Sequence, residues 1–142
     1  MMDWMSVSKK PDVVILGAAR TPIGRYGGSL RDTHPAELGA RAAIAAMTRA
    51  GITPGDIEEV FIGQGRQAGS GPNPARQVAH RAGVPVSAPA QTINQACASG
   101  LQTVALAAQA ECKILLETPH VCAVRLSMAA FRWPIHRHSH KA

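Results

Sequence analysis

The apolar residues of this chain fall into short runs separated by glycine- and proline-rich segments. The first run, residues 13–16, is mostly β-branched and ends at Gly17. This pattern is typical of a strand buried on both faces. Residues 59–63 and 92–94 are predicted to form two further short strands. We therefore expect three extended segments, the first of them fully covered by other parts of the protein.

Helix start and stop signals mark the segments between these strands. Pro35 suits the first position of a helix, Glu37 lies near its positive end, and Gly51 stops it. Residues 36–50 are largely alanine with few polar side chains. The helix is therefore predicted to be mostly buried and to pack closely through small residues.

A capped turn and two more helices complete the predicted elements. Residues 53–56 form the turn, with Thr53 as its cap. One helix is predicted over residues 73–82, and an almost wholly apolar one over residues 97–110. Because strands alternate with buried helices, the sequence predicts an α/β protein with parallel strands.

Composition divides the 142-residue chain near residue 110. All 13 glycines lie at or before Gly100, and four of the six histidines follow residue 110. Residues 1–110 hold 10 basic and 7 acidic side chains and residues 111–142 hold 5 and 2, so each part carries +3. We therefore predict an N-terminal extension over 1–11, one domain over 12–110, and an atypical tail over 111–142. The tail is interpreted as a frame-shifted or mis-spliced end.

Charge and hydropathy exclude several classes of protein. The basic residues before residue 110 are mostly dispersed singly and aromatic residues make up 4% of the chain, so no nucleic-acid surface is predicted. No apolar run reaches the about 18 residues that a transmembrane helix needs, so no membrane contact is predicted. The N-terminus does not resemble a targeting signal. Three cysteines make a poor disulfide framework, which favours reduced thiols and a cytoplasmic location.

The candidate chemistry concentrates around Cys97. Asn94 can cap a helix whose first turn contains this cysteine, where unpaired N–H groups and the positive end of the helix dipole favour the thiolate. The neighbours of Cys97 are small, which leaves the sulfur unshielded. The backbone N–H of Cys97 could also donate to an oxyanion on an acyl group attached to its own sulfur.

The residues alone leave an alternative open. A lone cysteine on an apolar helix is more often a small buried hydrophobe than a nucleophile. A nucleophilic cysteine also normally has a histidine base, for which the candidates are His34, at a helix start, and His80, on a helix face. The sequence does not place either beside Cys97.

The remaining cysteines and histidines carry no predicted function. Cys112 and Cys122 are interpreted as unselective thiols. The tail also contains three alternating histidines that can bind a metal adventitiously: His136, His138 and His140. No functional metal site is predicted, since no second shell of orienting residues is evident.

Several short motifs follow one another along the chain in the order and spacing of one known family. They cover residues 17–24, 26–30, 36–39, 49–52, 63–64, 73–77 and 94–101. On these motifs, the region from about residue 12 to residue 110 resembles the N-terminal part of thiolases, particularly acetyl-CoA acetyltransferases. The sequence Asn-Gln-Ala-Cys-Ala-Ser-Gly at residues 94–100 has the family's nucleophile signature. Ketoacyl synthases fit less well, because their cysteine is usually followed by Ser-Ser.

The resemblance implies a partial thiolase-like fold, the incomplete N-terminal half of an α/β enzyme. It implies that acyl-CoA acylates Cys97 and that the acyl group then condenses with the enolate of acetyl-CoA, or that thiolysis of acetoacetyl-CoA runs in reverse. No metal or redox cofactor is implied, since coenzyme A enters as part of the substrate. Members of the family are dimers or tetramers, so a homo-oligomer is expected of the full-length protein.

The same resemblance places much of the catalytic machinery outside these residues. The family's catalytic histidine, its second catalytic cysteine and most oxyanion-hole groups are expected beyond residue 142. In the tail, only Ser127-Met128 resembles a later family motif. Two functions therefore stay open: a thiolase-type acyltransferase that uses Cys97, and a non-catalytic truncated fragment that acts at most as an association module. Because the base is absent, the 142-residue chain alone is expected to turn over little or nothing.

Overall fold

The structure is a computed structural model that describes residues 13–114, except for the side chains of residues 111–114. The predicted extension and most of the predicted tail, with Cys122, Ser127-Met128 and the alternating histidines, lie outside the described residues. So does the side chain of Cys112. The five main elements run in the order α1 (Pro35–Ala50), β1 (Val60–Gly63), α2 (Pro74–Arg81), β2 (Ala90–Ile93) and α3 (Ser99–Ile114).

The predicted signals at the ends of α1 are confirmed. Pro35 opens the helix, and the Nδ1 atom of His34 accepts a hydrogen bond from the Ala36 N–H at 3.2 Å. Gly51 ends the helix in the left-handed region, with φ at 70°, which glycine adopts without steric cost. Half of the helix is fully buried, chiefly through alanines, so the expected small-residue packing is present.

β1 and β2 form a parallel pair whose register runs from Val60 opposite Ala90 to Gly63 opposite Ile93. Parallel neighbours need a crossover connection, and α2 supplies it. This arrangement confirms the predicted α/β class. β2 begins two residues earlier than the sequence predicts, at Ala90 instead of Thr92.

Every residue of β1 is buried, because helices cover both faces of the strand. Val60 and Ile62 point to one face and belong to the core that α1 and α2 form. Gly63 points to the other face and meets the start of α3. The strand therefore lies at the centre of three layers and its carboxyl end is fixed from both sides.

The prediction of a buried first strand over residues 13–16 is wrong. These four residues form no strand, and each is exposed, Ile15 to 74%. A strand buried on both faces needs neighbours on both sides, and the sheet within the described residues has only two strands, β1 and β2. The apolar run therefore lies uncovered on the surface. Within residues 13–114 no helix is long and apolar enough to cross a membrane.

Candidate functional site

Cys97 lies in the connection between the parallel strand β2 and helix α3. It is the middle residue of a single 3-10 turn, Ala96–Ala98, and α3 begins two residues later at Ser99. The prediction that Cys97 belongs to the first turn of the α-helix is therefore wrong by two residues. The amides just before the cysteine donate to side-chain acceptors, and these hydrogen bonds form a turn that is separate from α3.

Two side chains hold that turn. Asn94 Oδ1 accepts from the Ala96 N–H at 3.1 Å and forms a local Asx turn. The prediction that Asn94 caps the helix is wrong, because Gln95 is the N-cap residue of the 3-10 turn and α3 begins only at Ser99. Ser99 Oγ accepts from the Gln95 N–H at 2.9 Å and donates to the Ala96 carbonyl at 2.7 Å. The Ala98 N–H donates to the Gln95 carbonyl at 2.9 Å. Most polar backbone groups around Cys97 are thus engaged.

The residue before the cysteine has an uncommon backbone conformation. Ala96 has a φ of 49°, in the left-handed region where a Cβ costs about 1–2 kcal/mol. Such conformations persist where the surrounding contacts determine them, and they are frequent at functional sites. Here the contacts are the hydrogen bonds from Asn94 and Ser99.

The turn packs directly onto two glycines at the end of β1. A Cβ on Gly63 would lie 2.6 Å from the Ser99 carbonyl, and a Cβ on Gly65 would lie 2.7 Å from the Ala96 oxygen. Separations this short do not occur for real Cβ atoms, so both positions require glycine. The close approach fixes the height of the turn above the sheet.

Gln64, between these glycines, stabilises the loop that follows β1. Its side chain is 7% exposed, and its Nε2 donates to Ser70 Oγ at 2.6 Å and to the Arg66 carbonyl at 3.0 Å. Gln67 Nε2 donates back to the Gln64 carbonyl at 3.3 Å. This network holds the glycine loop against the turn of Cys97, and it was not predicted from the sequence.

The cysteine itself is accessible. Cys97 is exposed and free, which excludes the buried-hydrophobe alternative. Its thiol takes part in no disulfide within the described residues. The site therefore presents an exposed sulfur just before the amino end of α3.

Neither histidine candidate is placed as a base. His34 caps α1 through its Nδ1 atom, and His80 is exposed in the last turn of α2. Within residues 13–114 no histidine is hydrogen-bonded to Cys97. The described residues also include no cluster of three histidine, cysteine or carboxylate side chains that could hold a metal.

Comparison with known proteins assigns this arrangement to a family. The protein-family model described as "Thiolase, N-terminal domain" matches residues 13–114. The acetyl-CoA acetyltransferase of Cupriavidus necator is 54% identical over 99 residues, which cover 70% of this chain and 25% of that protein. The acetyl-CoA acetyltransferase of Yarrowia lipolytica is 50% identical over 96 residues, or 68% of this chain and 24% of that protein.

Solved structures match in the same proportion. The acetyl-CoA acetyltransferase from Syntrophomonas wolfei superposes with a TM-score of 0.64 at 41% identity, over 68% of this chain and 24% of that one. A thiolase from Ascaris suum, solved in complex with coenzyme A, gives a TM-score of 0.66 at 34% identity, over 68% and 25%. The chain thus spans about a quarter of the length of the curated relatives it matches.

Proposed function

The chain belongs to the thiolase family, and from this premise we propose that it accepts acyl groups from coenzyme A thioesters on Cys97. The observation that carries the proposal is the accessible Cys97 sulfur on a turn that side chains hold in place. The names of the relatives support acetyl-CoA as the donor.

The proposed step is a thioester exchange. The Cys97 thiolate attacks the carbonyl carbon of acetyl-CoA, a new C–S bond forms, and the bond to the coenzyme A sulfur breaks. Coenzyme A leaves as a thiolate and takes up a proton from water. The Cys97 N–H donates to the oxygen that becomes negative during the attack. Because one thioester replaces another, the exchange requires no external energy source.

Condensation with a second acetyl-CoA, or thiolysis in the reverse direction, also needs a base. No side chain of the described residues is bonded to Cys97 in that role. We therefore propose that these residues supply the nucleophile and part of the oxyanion site, and that complete turnover needs groups outside them. The expected reaction of this chain alone is acylation without sustained formation of acetoacetyl-CoA.

The remaining parts of the proposal concern partners and location. Acyl-CoA thioesters are the proposed substrates, with no metal or redox cofactor, and coenzyme A enters as part of the substrate. A homo-oligomeric full-length protein and a cytoplasmic location belong to the same proposal.

The test is incubation of the purified chain with acetyl-CoA while two products are followed. Mass spectrometry measures acetylation of Cys97, and absorbance measures acetoacetyl-CoA. Acetylation that disappears in Cys97→Ala supports the proposed role. Absence of acetylation would show that this chain is related to thiolases by descent but does not accept acyl groups. Multiple turnovers would show that the described residues need no further base.

The uncovered apolar surface favours a second candidate function. Residues 13–16 are exposed, and Leu101 on α3 is 74% exposed. An uncovered apolar segment and an exposed apolar side chain on a helix are typical of surfaces that associate with other chains. A fragment without catalysis would then act at most as an association module. Concentration-dependent assembly without acetylation of Cys97 would support this alternative.

A further inference from the structure

The Ser99 hydroxyl is a buried group whose two hydrogen bonds both go to the turn of Cys97. Ser99 is 2% exposed. Its oxygen accepts from the Gln95 N–H and donates to the Ala96 carbonyl. Both partners precede Cys97 and Ser99 follows it, so the hydroxyl closes a ring of hydrogen bonds around the cysteine.

The backbone inside that ring would not hold its conformation unaided. Ala96 lies in the left-handed region, which residues with a Cβ rarely adopt. Asn94 fixes the Ala96 N–H, and Ser99 fixes the Ala96 carbonyl. Without the Ser99 hydroxyl, the Gln95 N–H loses its acceptor and the Ala96 carbonyl keeps only a backbone donor. Ala96 is then free to relax toward a commoner conformation, and Cys97 moves with it.

The same ring engages the backbone on both sides of Cys97. The amides on either side of it are engaged: Ala96 donates to Asn94 Oδ1, and Ala98 donates to the Gln95 carbonyl. Ser99 donates its own N–H to the Ala96 carbonyl. Loss of the Ser99 hydroxyl would remove two of the hydrogen bonds that hold this backbone, and the position of Cys97 would change with it.

We infer that Ser99 is the positioning residue for Cys97, an inference that rests on the nucleophilic role proposed above. Its hydroxyl holds the turn in the conformation that exposes the sulfur. Ser99 acts through the turn and does not touch substrate. Gly65 cooperates from the opposite side, since its lack of a Cβ admits the Ala96 oxygen.

The test measures the reactivity of the Cys97 thiol with iodoacetamide, a small reagent that needs neither coenzyme A nor a base from the protein. The full chain carries Cys112→Ser and Cys122→Ser, so that Cys97 is its single thiol. The reactivity of a thiol depends on its surroundings. A turn that holds the sulfur exposed should make the folded chain react about threefold faster than the same chain in concentrated urea. Ser99→Ala should bring the rate close to the urea value.

A matched control separates positioning from general loss of stability. Thr103 is also buried on α3, and its hydroxyl bonds only the Gly100 carbonyl, at 2.7 Å. Thr103→Val removes that buried hydroxyl from the same helix without touching the turn. Its alkylation rate should stay within about 1.5-fold of the parent rate. Circular dichroism confirms that both variants are folded.

A second pair of variants tests the contact from the other side. Gly65→Ala pushes against the Ala96 oxygen, whereas a Cβ on Gly55 meets only Thr53 Oγ1 at 3.6 Å. Gly65→Ala should slow alkylation as Ser99→Ala does, and Gly55→Ala should leave it unchanged. Because this pair changes the turn from the side of Gly65, it tests the inference independently of the Ser99→Ala variant.

Three results would overturn the inference: a parent chain no faster than its urea-unfolded form, a folded Ser99→Ala chain as fast as the parent, or an equal loss in Thr103→Val. Failure of the proposed function is a separate outcome. A chain whose alkylation depends on Ser99, but which acetyl-CoA does not acetylate, keeps the inference and loses the acyl-transfer role. If acetyl-CoA acetylates Cys97 equally well in the parent and in Ser99→Ala, the acyl-transfer role stands and the inference about Ser99 is wrong.

Discussion

The side-chain oxygen of Asn73 and the hydroxyl of Thr92 lie 2.9 Å apart, and this contact joins the start of α2 to the strand that leads to Cys97. Asn73 also accepts from the Arg76 N–H at 3.2 Å and donates to the Ala90 carbonyl at 3.0 Å. Thr92 Oγ1 accepts from the Ala75 N–H at 2.9 Å. One asparagine and one threonine therefore fix α2 and β2 to each other.

We predict that Thr92→Val lowers the free energy of unfolding by about 1–2 kcal/mol, because the Ala75 N–H loses its acceptor and Asn73 loses a donor. Urea denaturation measures the change. The double variant Asn73→Ala, Thr92→Val should lose less than the sum of the two single variants, since the residues share a hydrogen bond. Strict additivity would show that the 2.9 Å contact contributes nothing.

Gly51 offers a test of backbone conformation without side-chain clashes. Its φ is 70°, and a Cβ there would meet nothing within 4 Å. Gly51→Ala should therefore lower the free energy of unfolding by about 1 kcal/mol, entirely through the left-handed backbone. Gly51→Asn should lose less, because asparagine tolerates this region better. Equal stability of the alanine variant and the parent would contradict the assigned end of α1.

The turn before β1 predicts a shift in one titration. The Thr53 hydroxyl and N–H both donate to Asp56 Oδ2 at 2.7 Å, and these bonds hold the pKa of Asp56 below its ordinary value of 3.8. A lowered pKa in the folded state stabilises the protein above the unfolded pKa, and this contribution is lost as pH falls through the folded value.

The measurement is an NMR titration of the Asp56 carboxyl carbon. Thr53→Ala removes the hydroxyl, which is the largest cause of the shift, so the pKa of Asp56 should rise toward 3.8. Thr48→Ala removes another exposed hydroxyl, one that bonds the Ile44 carbonyl, and should leave the Asp56 titration unchanged. An Asp56 pKa that ignores Thr53 would refute the proposed cause.

The uncovered run at residues 13–16 predicts self-association. Ile15 is exposed, and an unpaired apolar segment promotes pairing between chains. Ile15→Lys should shift the sedimentation of the chain toward the monomer. Val86 is a comparable exposed side chain away from this run, 78% accessible, so Val86→Lys serves as the matched control. If both variants shift sedimentation toward the monomer equally, the association does not depend specifically on residues 13–16.

The sequence predicted those parts of the fold that local signals determine. Pro35 and Gly51 bound α1 as expected, and Asn73 caps α2. It failed over residues 13–16, because an apolar run indicates burial but does not supply the neighbours that would cover it. The strand predicted there needs a larger sheet than β1 and β2 provide, and the matched residues cover 25% of the Cupriavidus necator relative.

In the candidate site, too, the sequence revealed the local features and missed the contacts between distant segments. The motif around Cys97 depends on residues close in sequence and was recognised. Asn94 was expected to cap the helix, but it bonds the Ala96 N–H in a local turn instead. The contact between Gly65 and Ala96 joins segments 31 positions apart, and only the folded chain brings them together. Ser99 could have been noticed as a small hydroxyl two residues after the cysteine, but its hydrogen bonds depend on a left-handed Ala96 that the sequence does not reveal.

The central claim is that Cys97 accepts an acyl group, and peptide mapping after incubation with acetyl-CoA tests it most directly. The account predicts a single acetyl group per chain, located on Cys97, with coenzyme A released in equal amount and no product from the Cys97→Ser variant. The urea-unfolded chain should acetylate much more slowly, since its turn is lost. Acetylation spread equally over Cys97, Cys112 and Cys122, or absent from Cys97, would contradict the account.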